Sequence, residues 1–98
     1  MSLRQIQDSV DEWIVTQRDG YFSPLEIMAC LTEENGELAA AVRANRPASA
    51  EPGRELADIA FMLVCLANAL KIDLDHAMAE RIQRRAGQNK AHENGNTP

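Results

Sequence analysis

Residues Ile59 to Ala67, IAFMLVCLA, form a nine-residue run without one polar side chain. A helix that is apolar all round cannot rest a face on water. The whole chain has 98 residues, the length of one small domain. Three other short helices can hardly enclose such a segment. The run therefore predicts that this helix packs against its own copy in a homo-oligomer, most simply a two-fold dimer. The alternative is a helix buried inside a monomeric four-helix bundle.

The remaining pattern is helical throughout. The chain is 45% hydrophobic but only 4% aromatic, and nothing alternates with the period of a strand. Leu3, Ile6, Val10, Trp13 and Ile14 recur every three or four residues and predict a first helix over about 2–18. Asp19-Gly20 ends it. Ser23-Pro24-Leu25-Glu26 combines an N-cap, a first-turn proline and a capping-box glutamate. It opens a second helix, to about Ala44, with Leu31, Leu38 and Val42 on its core side and Ile27 and Met28 nearby. Asn45–Gly53, with two prolines, is the one internal loop of any length. A third helix follows over about 54–70. Asp73 caps a fourth, carrying Leu74, Ala77, Met78 and Ile82 on one face and Arg81, Arg84 and Arg85 around its end. The expected organisation is an all-α helical domain over 1–86 and a polar, disordered tail over 87–98.

Charge narrows the function. Ten basic and fifteen acidic residues give a net charge of −5. Non-specific nucleic-acid binding needs a basic footprint, so no nucleic-acid partner is expected. An anionic small molecule stays possible if a cation mediates the contact. The longest apolar stretch falls well short of the ~20 residues of a membrane span, and the polar N-terminus does not read as a signal peptide. Cys30 and Cys65 both lie in apolar helical surroundings and are expected to be small buried hydrophobes in a reducing cytoplasm.

The acidic residues are grouped. Glu34 and Glu37 stand three apart on the second helix, Glu33 and Glu37 four apart, and Glu55 and Asp58 three apart on the third. Positions at these spacings share a helix face, where like charges repel by some tenths of a kcal/mol. Burial beside the apolar run would cost more. A divalent cation bound between the helices recovers both costs. The donors are all oxygen, which favours Mg²⁺ or Mn²⁺ over zinc or copper. Neither His76 nor His92 completes the Glu-x-x-His pairs of a di-iron bundle. For Glu33, Glu34 and Glu37 alone, an ordinary solvated face explains the pattern equally well. Asp58, one residue before the apolar run, is harder to explain that way.

With their spacing and flanks, these residues resemble a family. EENGE (33–37), a gap of 17 residues, and ELAD (55–58) resemble the EExxE…ExxD signature of the MazG-like all-α nucleoside triphosphate pyrophosphohydrolases. FMLVCLANALKIDLDHA resembles the segment that follows that motif, and YFSPLEIMACLTEENGEL resembles the short stand-alone bacterial branch. The resemblance spans roughly Trp13 to Ala77. It implies a four-helix bundle completed by homo-oligomerisation as a dimer or tetramer. It also implies hydrolysis of (deoxy)nucleoside triphosphates to monophosphate and pyrophosphate, with Mg²⁺ held by Glu34, Glu37, Glu55 and Asp58. The cellular role it implies is removal of unwanted nucleotides from the pool.

Beside the metal set, Glu33 is a candidate to orient or deprotonate the attacking water; it is equally a solvated neighbour or a further ligand. Trp13 either continues the first helix's core stripe or stacks on a base. Asn68, the lone polar residue deep in the apolar helix, needs partners for its amide. It reads a base or sugar, or bonds its mate across a dimer. Arg81 and Arg84 reach phosphate, or simply complement a helix C-terminus. Here ERIQRRAGQNK departs from the family's K…N..R pattern, and Asn35 stands where an apolar residue is usual. The competing reading with the same fold is a non-catalytic oligomeric helical module that binds nucleotide or metal.

Overall fold

The computed structural model describes residues 1–18, 20–43 and 52–95. They form four helices: α1 (Leu3–Gln17), α2 (Pro24–Arg43), α3 (Pro52–Ala69) and α4 (Leu74–Gly95). The expected loop Asn45–Gly53 lies outside the described residues up to Glu51; its last two residues already belong to α3. The third helix starts earlier than predicted because Pro52 occupies the first helical position, where proline's fixed φ and missing N–H cost nothing. The fourth helix is predicted to end near Arg85, yet α4 continues through Gly87 to Gly95. A single glycine costs a helix only about 1 kcal/mol, and good helix formers flank it.

Local chemistry sets the helix starts. Ser2 accepts from the Gln5 backbone N–H and Gln5 answers the Ser2 N–H, a capping box at α1. Ser23 and Glu26 make the same exchange at α2, at 3.2 and 3.0 Å. The Ser23 backbone N–H and hydroxyl hold the Glu26 carboxyl below its ordinary pKa. Asp73 Oδ1 accepts from the Asp75 N–H at 3.0 Å and caps α4 as predicted. Asp75 in turn accepts from the backbone N–H groups of Leu3 and Arg4, so one carboxylate of α4 satisfies the free start of α1.

The core is small. Val10, Ile14, Ile27, Val64 and Cys65 form its centre, and Ile14 is 2% exposed. α3 packs on both α2 and α1, while α4 packs chiefly on α1. On α2, Ile27 is buried, Leu31 and Leu38 are half-buried, and Val42 is exposed, which corrects its placement on the core side. Met78 and Ile82 of α4 are also exposed. Cys65 is buried, but Cys30 is exposed, which corrects its placement as a buried hydrophobe. The radius of gyration is 17.1 Å, against about 13 Å for a compact domain of this length.

One polar network joins the helices. Gln7 is 5% exposed. Its Nε2 donates to Asn68 Oδ1 at 2.9 Å and to the Ile72 carbonyl at 2.8 Å, and its Oε1 accepts from the Leu74 N–H at 2.9 Å. Asn68 Nδ2 donates to the Gln7 carbonyl at 3.0 Å and the Tyr21 hydroxyl at 2.9 Å. α3 then closes in a Schellman turn, with Ile72 N–H bonding the Ala67 carbonyl and Lys71 N–H that of Asn68. Lys71 takes the left-handed position, φ 59°, that usually falls to glycine.

Two stability measurements follow. Asn68→Ala strands the buried Gln7 amide and should lower the unfolding free energy by about 2 kcal/mol in urea titrations at fixed protein concentration; a loss below about 0.5 kcal/mol would contradict the network. Lys71→Gly should raise stability by up to about 1 kcal/mol, as it relieves the left-handed strain less glycine's own entropy cost.

Candidate active site

The packing of α2 on α3 sets the level of every acidic candidate. Ile27 and Cys65 share the core cluster, and Cys30 and Met62 line one cavity with them. Residue numbers rise along α2 as they fall along α3, so the two helices run antiparallel. Continuing one turn along both helices brings Glu34 level with Asp58. A further three residues bring Glu37 level with Glu55. The acidic pairs of the sequence are thus carried on α2 and α3, which pack on each other.

Glu34 and Glu55 are half-buried, whereas Glu33, Glu37 and Asp58 are exposed. Among the described residues none of the five forms an ion pair. No three acidic, histidine or cysteine side chains stand together as a metal-holding group among those residues either. The donors therefore fit a hard cation in kind, without making a closed cage among the described residues. Mg²⁺ seldom uses one; it keeps several waters and binds through one or two carboxylates plus substrate phosphates.

An apolar cavity of about 130 Å³ lies one turn from these carboxylates, between α1, α2 and α3. Ile14, Ile27 and Cys65 form its inner side, and Cys30 stands one turn before Glu33 and Glu34. Phe61 and Met62 stand one turn after Asp58. Tyr21 and Phe22, from the connection between α1 and α2, complete the wall. Gly20 enters that connection at φ 113°, a conformation side chains disfavour. At the rim the Arg18 guanidinium sits 4.3 Å over the Phe22 ring, a cation–π contact.

Trp13 leaves the core stripe on which the sequence places it. It is 47% exposed and meets Phe61 edge-on, with centroids 6.0 Å apart at 78°. It thus stands directly behind one wall of the cavity. The structure brings Trp13, the cavity and the carboxylate levels to one region.

It does not bring Asn68 there. Asn68 is ten residues beyond Asp58, about 15 Å along α3, and both of its amide hydrogens are donated within the chain. A larger, polar cleft of about 320 Å³ opens at that end, lined by Arg4, Asp8, Asp11 and Lys71 together with Gln7 and Asn68. Its groups are mostly engaged with one another: Arg4 pairs with Asp8 at 3.3 Å and Asp73 at 3.4 Å. Arg81 and Arg84 are exposed on α4, which packs on α1 rather than on the α2–α3 hairpin.

Sequence reasoning missed Tyr21. Its hydroxyl donates to Asp11 Oδ1 at 2.6 Å and accepts from Asn68. Burial, then the hydrogen bond to Asp11 and that carboxylate's charge, push the phenol up to about 12; the bond from Asn68 works the other way. No periodicity marks a loop tyrosine, and its bonds reach residues ten and 47 positions away.

Comparison with known proteins agrees with this geometry. Residues 22–89, more than half the chain, match the MazG nucleotide pyrophosphohydrolase domain. YpjD of Bacillus subtilis strain 168, an uncharacterized protein, is 44% identical over 84 residues, covering 78% of this chain and 76% of YpjD. The crystal structure of a Bacillus-conserved MazG protein, a nucleotide pyrophosphohydrolase, superposes with a TM-score of 0.74 at 39% identity, covering 86% of this chain and 88% of that one. The crystal structure of B. subtilis YpjD gives a TM-score of 0.76 at 42% identity, over 88% and 95% of the two chains. A family of enzymes sets aside the reading of a purely binding module: this chain belongs to the MazG nucleotide pyrophosphohydrolases.

Proposed function

We propose that this chain hydrolyses (deoxy)nucleoside triphosphates to the monophosphate and pyrophosphate in a Mg²⁺-dependent reaction, with Mn²⁺ able to substitute. The observation that carries the reading is an apolar, aromatic-walled cavity between α1, α2 and α3, lined by Cys30 and by Phe61 and Met62, each one turn in sequence from an acidic pair. A nucleotide has the same two halves, a polyanion and a flat ring. The base would enter the cavity, against Phe22 and the Phe61–Trp13 pair, with the phosphates toward the acidic levels.

Glu34, Glu37, Glu55 and Asp58 would hold the cation. Bound there, Mg²⁺ supplies the positive charge that an acidic protein lacks for a triphosphate. Water adds at the α or the β phosphorus, the bridging P–O bond breaks, and monophosphate and pyrophosphate separate. Glu33 projects about 100° around α2 from Glu34 and takes the water's proton. Arg81 and Arg84, remote from the hairpin within one chain, would meet phosphate only from a second copy.

Self-association is part of this reading. Leu56 and Leu63 of α3 and Leu70 just past its end recur every seven residues and are 56%, 45% and 50% exposed. A stripe of that size on a soluble protein marks an interaction face. A homodimer or homotetramer would cover it, as the apolar run predicts. The assembly would act on the cytoplasmic nucleotide pool as a house-cleaning enzyme, without nucleic-acid or membrane partners. Among the described residues no helix is long and apolar enough to cross a membrane.

Incubation of the chain with each common dNTP should release pyrophosphate only when Mg²⁺ or Mn²⁺ is present, and EDTA should stop it. Asp58→Ala should cost on the order of 10²-fold or more in kcat with helical circular dichroism unchanged. Glu33→Gln should lower kcat by a similar factor while Mg²⁺ binding persists. An Asp58→Ala variant with the original rate would displace the site. In light scattering the chain should exceed monomer mass at micromolar concentration, and Leu63→Lys should bring it toward monomer.

A further inference from the structure

We propose that Tyr21 is a positioning residue for nucleotide binding: its ring forms part of the cavity wall, and its hydroxyl, clamped between Asp11 of α1 and Asn68 of α3, fixes the connection that carries Phe22. The inference rests on the nucleotide-site reading above.

The clamp spans three parts of the chain. Asp11 lies on α1, Tyr21 on the connection, and Asn68 near the end of α3. Asn68 is itself held by the buried Gln7, so the hydroxyl is tied into the polar network that joins the helices. Packing anchors this region weakly: Phe22 of the connection is half-exposed, and Leu25 at the start of α2 is 80% exposed. Without the hydroxyl, Phe22 and the Arg18 guanidinium stacked on it would lose their register with Phe61 across the cavity. The hydroxyl points away from the hairpin carboxylates, toward Asp11 and Asn68. Its loss should therefore weaken binding of the ring and leave the chemical step in place.

Steady-state kinetics separate these effects. For the preferred dNTP, Tyr21→Phe should raise KM roughly five- to tenfold with kcat within about twofold. Asp11 is exposed, so Asp11→Ala removes the acceptor without opening the core and guards against a folding failure at Tyr21. It should raise KM in the same direction, and Asp11→Asn, which keeps an acceptor, should restore it.

The chain has one tyrosine, so its phenolate absorbance reports Tyr21 alone. The folded pKa is raised, so the stabilisation is complete below pH 10 and is lost as pH rises toward 12. The native midpoint should lie near 12, fall in Asp11→Ala, and return to about 10 in urea. An active wild type whose KM is unchanged by both Tyr21→Phe and Asp11→Ala would overturn this inference and leave the activity intact. A wild type that releases no pyrophosphate from any dNTP would overturn the activity reading and this inference with it.

Discussion

The antiparallel seating of α2 on α3 is the contact on which the rest depends. Ile27 against Cys65 and Val64, with Ile14 of α1 closing the third side, fixes the relative height of the two helices. Everything acidic is then placed by helical rise alone. If the register slipped by a turn, Glu34 and Asp58 would separate by about 5 Å and the two pairs could no longer act together. Apolar packing thus sets where the acidic groups stand, and in the proposed reading a bound cation would offset their mutual repulsion.

The polar network at the other end of the bundle has a complementary role. Gln7 and Asn68 hold α1, α3 and the start of α4 without a metal or ligand. Every buried side-chain polar atom described has a partner. This end is finished within one chain. The hairpin end is not: its carboxylates lack partners among the described residues, and the leucine stripe of α3 faces solvent. One end of the molecule is finished within the chain, and the other is where the proposed cation, nucleotide and second copy would add their contacts.

Much of this is legible in the sequence because it is local. Ser23, Pro24 and Glu26 announce α2 within four residues, and Asp73 announces α4. The carboxylate spacings are local as well, and the motif they make points to the family. Long-range features are not legible. Trp13 fits the period of the α1 stripe, yet only the position of Phe61 decides that its ring stays at the edge. Asn68 announces a need for partners without naming Gln7 or Tyr21, and Asp75 gives no sign that it caps a helix 71 residues away. Cys30 shows the same limit: apolar neighbours in sequence do not ensure burial.

The central claim is spatial: carboxylates of α2 and α3 grip one cation-bound triphosphate between them. A crystal structure with Mn²⁺ and a non-hydrolysable triphosphate analogue, read by anomalous scattering, tests it most directly. The account predicts manganese peaks within about 2.5 Å of carboxylate oxygens from both helices, with phosphate oxygens sharing the ion and the base beside Phe61. Manganese bound elsewhere, or a triphosphate lying away from the hairpin, would contradict it.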